Sequence, residues 1–221
     1  MRLMVCPKTR VPTYRDAPVS HFLSLVDPGE DGSDLVPPTS TKDRLVLIFS
    51  DLDDIEMALP RFKRYIPPKE EDVRKIVDFG SALRDGDDWG LLAHCEAGIS
   101  RSTAASIAIL TAAGYPPETS FQLVQSVCPE MLPNRRILRL ADKFLGTGEA
   151  LYQIAVDHRK RAFEMAGYED PTDVLYRESL ESQKTILGRF LSIFPSDWRN
   201  LVGTGARMRA AKSRPVMVPT R

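Results

Sequence analysis

Neither sign of charge is in excess in this chain of 221 residues: Lys and Arg number 30, and so do Asp and Glu. No net field therefore draws it to nucleic acid or to an anionic membrane surface. No apolar run approaches the roughly 20 residues that cross a bilayer. The opening Met1-Arg2-Leu3-Met4-Val5-Cys6-Pro7 is too short an apolar stretch for a secretory signal, so a cytoplasmic protein is expected. Cysteine and histidine are scarce, three of each. That excludes a disulfide framework, and His21, His94 and His158 are too scattered for a structural zinc site. No metal and no cofactor is expected, and Cys6 and Cys128 read as small buried hydrophobes. There is no Gly-rich loop ending in Gly-Lys-Ser/Thr to hold a nucleotide, no internal repeat and no heptad pattern.

What is present is an ordinary globular composition, 43% apolar and 27% charged, long enough for one good core and an appendage. Apolar runs predict strands over residues 3–6, 21–26, 45–49 and 89–94. The run at 45–49 is unbroken, as in a strand covered on both faces. Helical periodicity begins after Pro68, with Val73, Ile76, Val77, Gly80 and Leu83 on one face. It recurs over 102–113, where the pattern is apolar nearly all round, over 119–127, and from Pro133-Asn134 to a stop at Gly146. Strands alternating with helices predict an α/β fold, a mostly parallel central sheet flanked by helices on both faces. Residues 1–148 form the expected catalytic domain. Residues 149–221 form a helical extension, with helices over 150–165 and 175–194, and a basic tail from 205. The tail reads as loosely packed or disordered, with docking to a membrane or a partner by its charge as the alternative.

The chemistry concentrates in Leu91-Leu92-Ala93-His94-Cys95-Glu96-Ala97-Gly98-Ile99-Ser100-Arg101-Ser102-Thr103, a strand, a tight loop and the start of a helix. Such a unit aims backbone N–H groups and the positive end of a helix at one point, a site for an oxyanion. The amides of Glu96, Ala97, Gly98, Ile99, Ser100 and Arg101 are the candidate phosphate ligands. Cys95 at the loop's mouth is a nucleophile whose thiolate the same field stabilises. Arg101 offers a planar fork to two phosphoryl oxygens. Gly98 supplies a turn closed to other residues or a close approach of backbone to the anion. Ser102 can hydrogen-bond the sulfur as well as cap the helix, and His94 either holds the loop through its ring nitrogens or packs neutrally behind it. Together these residues describe phosphate-ester cleavage by attack of sulfur on phosphorus.

The segment from His94 to Ser102 resembles the signature of cysteine-dependent protein tyrosine phosphatases. The short Gly-Ile-Ser-Arg-Ser form is most similar to the compact dual-specificity-type bacterial members. The resemblance extends over roughly residues 3–146 and includes the Pro133-Asn134 pair before the last core helix. It implies a phosphocysteine intermediate on Cys95, a phosphoryl clamp by Arg101, and a phosphorylated protein or a small phosphomonoester as the substrate. It also implies an aspartate, on a loop after a core strand, that serves as acid and then as base. Asp51, Asp53 and Asp54 all follow the 45–49 run, at an interval from Cys95 slightly longer than the family's. Asp54 lies nearest that interval and Asp53 next.

No Lys or Arg lies between Cys95 and Arg101, which disfavours a multiply phosphorylated headgroup. Arg61, Lys63, Arg64 and Tyr65 read as a solvated face or as a rim of the pocket. The expected reaction is hydrolysis of phosphotyrosine, with phosphoserine and phosphothreonine as further substrates. The alternatives are a catalytically silent phosphopeptide-binding module and a phosphatase for a small-molecule monoester. A loop built on Cys6 and Arg10 is excluded, because the interval is too short.

Overall fold

Four short apolar runs form four parallel strands whose carboxyl ends open on one edge of the sheet. The computed structural model describes residues 1–33, 35–57, 62–83, 88–170, 174 and 216–217. Strands β1 (Arg2–Pro7), β2 (His21–Val26), β3 (Asp43–Ile48) and β4 (Gly90–Cys95) lie in the order β3-β2-β4-β1. The two-residue strand β5 (Val216–Met217) runs antiparallel beside β1. Register decides what meets at the carboxyl edge. Pro7 lies opposite Cys95, Ser24 opposite His94, and Val26 opposite Ile48. The residues that follow the strands, Lys8, Asp27, Phe49 through Asp51 and the loop after Cys95, are gathered there.

Side chains alternate across the sheet. Leu3, Val5, Leu23, Leu25, Leu47, Leu91, Ala93 and Cys95 face the main core. Met4, Cys6, Phe22, Val26 and Leu92 face a smaller one. The main core is closed by α2 (Glu70–Ser81), α3 (Arg101–Ala112), α4 (Pro117–Val127) and α5 (Arg135–Leu145). On the second face the cover is thinner than the sequence suggests: the 3-10 helix Lys8–Tyr14 contributes Val11, and the connecting chain contributes Val19 and Leu35. A one-turn helix, α1 (Asp54–Met57), follows the β3 loop.

Local chemistry sets the helix ends. Asp72 Oδ2 accepts from the Lys69 backbone N–H at 2.9 Å at the start of α2, after Pro68. Pro117 opens α4. Asn134 Oδ1 accepts from the Ile137 N–H at 3.0 Å to cap α5, and Gly146 ends that helix at φ 67°. Helix α3 is buried from Arg101 to Leu110, which is why its sequence is apolar all round. Each fully buried Leu or Ile there contributes about 1.5–3 kcal/mol.

The run at 45–49 is not a strand covered on both faces. β3 is the sheet's edge: Asp43, Arg44 and Ile48 are exposed, Leu45 and Val46 are half-buried against the main and the second core, and only Leu47 and the following Phe49 are fully buried. The chain divides into two units, Met1–Arg161 with Ser213–Arg221, and Ala162–Lys212. In the first, α6 (Ala150–Met165) begins on Asp142, whose carboxylate accepts from the N–H groups of Leu151 at 3.1 Å and Tyr152 at 2.9 Å. Leu151 and Ala155 join the main core, so that core continues past residue 148. In the second, the described residues are the end of α6, the turn through Asp170, and Val174. The helix expected over 175–194 and all of the basic tail except Val216 and Met217 lie outside the described residues, as does Arg61 of the basic segment. Among the described residues no helix is long and apolar enough to cross a membrane.

Helices α2 and α3 cross at Gly80, where an added Cβ would stand 2.6 Å from the Ile109 carbonyl oxygen and 2.7 Å from its Cα. Gly80→Ala gains about 1 kcal/mol in helix propensity but overpacks against rigid backbone at a larger cost. A net loss of about 1–2 kcal/mol is expected, read as a lower urea midpoint at unchanged slope.

Candidate active site

Cys95 ends β4 and is 1% exposed. Its Sγ accepts a hydrogen bond from the Gly98 N–H at 3.3 Å and lies 3.2 Å from Ser102 Oγ. The intervening loop is shaped by four of its carbonyls, which accept hydrogen bonds from residues outside it. Glu96 O accepts from Lys8 N at 3.3 Å, Ile99 O from Leu132 N at 2.8 Å, and Ser100 O from Asn134 N at 3.3 Å. Gly98 O accepts from Cys128 Sγ at 3.5 Å, and Thr103 Oγ1 donates to both Ile99 O and Ser100 O at 2.8 Å. The Gly98 N–H is the loop amide that meets the sulfur. Gly98 is required twice over. Its φ is +75°, and a Cβ would come within 2.5 Å of Cys6 C and Pro7 N.

Arg101, the first residue of α3, is 3% exposed. Its Nη1 donates to Asp27 Oδ1 at 2.9 Å and to the Phe49 carbonyl at 2.7 Å, and Nη2 donates to Asp27 Oδ2 at 3.3 Å. Nε makes no hydrogen bond and lies 4.0 Å from Asp51 Oδ2. Burial works against the charge, but Asp51, Cys95 and Asp27 outweigh it and hold the guanidinium's pKa above its usual value.

The three candidate acids part company. Asp51 Oδ1 accepts from Ser100 Oγ at 2.7 Å and from Asn134 Nδ2 at 2.8 Å, which places this carboxylate against the Cys95 loop. Asp53 turns to α5 and pairs with Arg135 Nε at 2.6 Å. Asp54, nearest the expected interval, pairs with Arg136 at 2.6 Å and Arg139 at 2.8 Å. Counting residues favours Asp54, but α1 starts there and carries its side chain to α5. Of the three, the one bonded to the loop is Asp51. Asp27 is not among the candidate residues that the sequence singles out; it only follows the strand expected over 21–26. The available signal was its position, an acid directly after a strand parallel to the one that ends in Cys95. Asn134 was read only as a helix start, and its amide also donates to the Leu52 carbonyl at 3.1 Å.

His94 is fully buried on the sheet face opposite Cys95. Its Nε2 lies 2.6 Å from Ser24 Oγ, and its ring stacks on Phe22 at 5.4 Å. It ties β4 to β2 beneath the loop, and burial pushes its pKa down to about 4. Burial also raises Cys6 and Cys128 to about 12, helped by Cys95 at the first and by Glu130 and then Cys95 at the second, so both remain thiols. Glu96 and Ala97 are exposed, and Ile99 and Ser100 are half-buried. Among the described residues no group of His, Cys, Asp and Glu is placed to hold a metal ion.

No family model matches the sequence, and no curated protein matches it. Among solved structures the chain is similar to a human tyrosine phosphatase-like serine/threonine/tyrosine-interacting protein (19% identity, TM-score 0.40, covering 67% of this chain and 93% of that one). It is similar to human DUSP28 (18%, TM-score 0.40, 67% and 94%). It is similar also to the Yvh1 phosphatase domain from Chaetomium thermophilum (20%, TM-score 0.42, 67% and 93%). Likeness at this level bears on the role of no residue.

The His94 shift has a consequence for stability. The unfolded chain binds a proton at this ring near pH 6.5 and the folded chain only near pH 4, so stability is lost as pH falls between those values. The slope reaches about 1.4 kcal/mol per pH unit. Unfolding free energies measured at pH 7, 5.5 and 4.5 are expected to fall less steeply in His94→Asn than in the parent chain.

Proposed function

We propose that this chain hydrolyses phosphomonoesters through a phosphocysteine intermediate, with phosphorylated protein side chains as its substrates. The observation that supports the reading most is the placement of a buried Arg101, its Nε free of any hydrogen bond, on the same short loop as a Cys95 sulfur that already accepts an amide hydrogen bond. Cys95 Sγ attacks phosphorus, and the bond from phosphorus to the leaving oxygen breaks. Asp51, protonated, gives its proton to that oxygen. The equatorial oxygens gain charge as this happens, and the loop amides and the Nε edge of Arg101 stabilise it. In the second step the Asp51 carboxylate takes a proton from water, whose oxygen attacks phosphorus as the S–P bond breaks. Ser102 Oγ, 3.2 Å from the sulfur, donates to the departing thiolate. The products are the free hydroxyl compound and inorganic phosphate.

Asp51 takes the acid–base role here in place of Asp54 and Asp53, whose carboxylates are committed to α5. Phosphotyrosine is the favoured substrate and phosphoserine and phosphothreonine the further ones. Apart from Arg101 the loop carries no cation, and Lys8 at the same edge is paired with Glu30, so a headgroup bearing several phosphates is disfavoured.

The test is phosphate release from p-nitrophenyl phosphate and from phosphotyrosine and phosphoserine peptides, with metals chelated. Cys95→Ser is expected to abolish turnover. Asp51→Asn is expected to lower kcat by about 10²-fold or more and to remove the fall in rate on the alkaline side, since an acid must be protonated to act. The loss grows as the leaving oxygen becomes more basic, so it is larger for phosphoserine than for the nitrophenyl ester. Asp54→Asn, which loosens the segment without removing the acid, is expected to lose far less than Asp51→Asn. A chain that binds tungstate but turns over none of these esters is a silent binding module, and the proposal fails.

A further inference from the structure

Guanidinium carries five N–H bonds in one plane, and their directions are fixed. In Arg101 the Asp27 carboxylate meets the group end-on, one oxygen on Nη1 at 2.9 Å and the other on Nη2 at 3.3 Å. The second Nη1 hydrogen goes to the Phe49 carbonyl at 2.7 Å. Two hydrogens remain, on Nε and on the adjacent side of Nη2. They point the same way, along one edge, which is the spacing that two oxygens of a phosphoryl group can accept. Two strands make this orientation: Asp27 follows β2, and Phe49 follows β3. Both are positioned by the register that sets Val26 opposite Ile48.

The arrangement is not needed for charge alone, because Asp51 and Cys95 also sustain the cation. It matters because Asp51 Oδ2 stands only 4.0 Å from Nε. A shift of about 1 Å would bring the two to hydrogen-bond distance. The resulting pair would occupy the free edge of the arginine and the carboxylate that transfers the proton.

We infer that Asp27 is a positioning residue, which holds Arg101 end-on and away from Asp51 so that the Nε–Nη2 edge stays open to a phosphoryl group. The inference rests on the roles given above to Cys95, Arg101 and Asp51. Asp27 touches neither the substrate nor the sulfur; it acts through the guanidinium. Around Asp51 the groups that respond are Arg101 on α3, Asn134 at the head of α5, Ser100 in the loop, and Asp53 and Glu56 on its own segment. Among them only Arg101 is released when Asp27 is neutralised.

The experiment compares p-nitrophenyl phosphate hydrolysis over a pH series in the full chain and in Asp27→Asn, Asp27→Glu and Asp31→Asn, with thermal midpoints measured in parallel. Asp27→Asn is expected to lower kcat by about 10²-fold, the cost of a misplaced catalytic group, with a smaller change in KM. Its alkaline fall in kcat/KM is displaced from the parent's, because the guanidinium released from Asp27 is then drawn to Asp51. Asp27→Glu keeps the charge on a longer arm. It falls between the parent and Asp27→Asn in kcat, with the alkaline fall displaced the same way, and it carries the test if the neutral variant does not fold. Asp31→Asn, on the exposed turn beyond, matches the parent. A folded Asp27 variant with parental kcat and an unmoved alkaline fall overturns the inference and leaves the proposed reaction standing. So does a lower thermal midpoint with the pH profile unchanged. An inert parent chain that also fails to bind tungstate overturns the proposed reaction, and the inference with it.

Discussion

A guanidinium with 3% of its surface exposed stays in place only where negative charge and hydrogen-bond acceptors replace the water it has lost. Arg101 finds both at the carboxyl edge of the sheet, in Asp27, the Phe49 carbonyl and Asp51. None of these groups is near Arg101 in sequence. They meet because β2, β3 and β4 run parallel, so that the residue following each strand arrives at the same end. Crossover geometry of this kind makes that edge the usual place for a ligand. Here the same geometry supplies the counter-charges of the buried cation. The fold and the site therefore share one requirement, and a shift in strand register would unseat both.

The segment carrying Asp51 is held from its other side. Arg135 is paired with Asp53, and Arg136 and Arg139 with Asp54. The Asn134 amide binds both the Asp51 carboxylate and the Leu52 carbonyl. Exposed pairs of this sort are each worth little, but the Arg135–Asp53 pair is 7% and 14% exposed and correspondingly less screened. Three arginines of α5 and the asparagine that caps it thus fasten a short acidic run. Two of the three aspartates serve as tethers, which leaves the third at the loop.

The strands, the central helix and the Cys95-to-Arg101 loop were legible because each is local. An apolar run bounded by Pro or Gly predicts β1, β2 and β4, and a helix apolar on every side predicts the burial of α3. The cap at Asn134 and the stop at Gly146 follow from residue type alone. What the sequence did not disclose is relational. The exposed edge of β3 depends on which strand is last in the sheet, and the five apolar residues of that run say nothing about it. Which of Asp51, Asp53 and Asp54 lies against the loop depends on where a four-residue helix turns, and an interval counted along the chain carries no information on that. Asp27 was invisible because only the strand order sets it beside Arg101.

Asn134 does two jobs with one side chain: its Oδ1 satisfies the Ile137 amide, and its Nδ2 holds the segment that bears Asp51. Any excursion that carries Asp51 away from the loop must pull on this amide, and so on the first turn of α5. Hydrogen–deuterium exchange at a single backbone position, Ile137, then reports the opening of a segment some eighty residues earlier in the chain (Asp51 and Asn134 are 83 positions apart). The fraying of a helix end and the departure of an acid from its station become one motion.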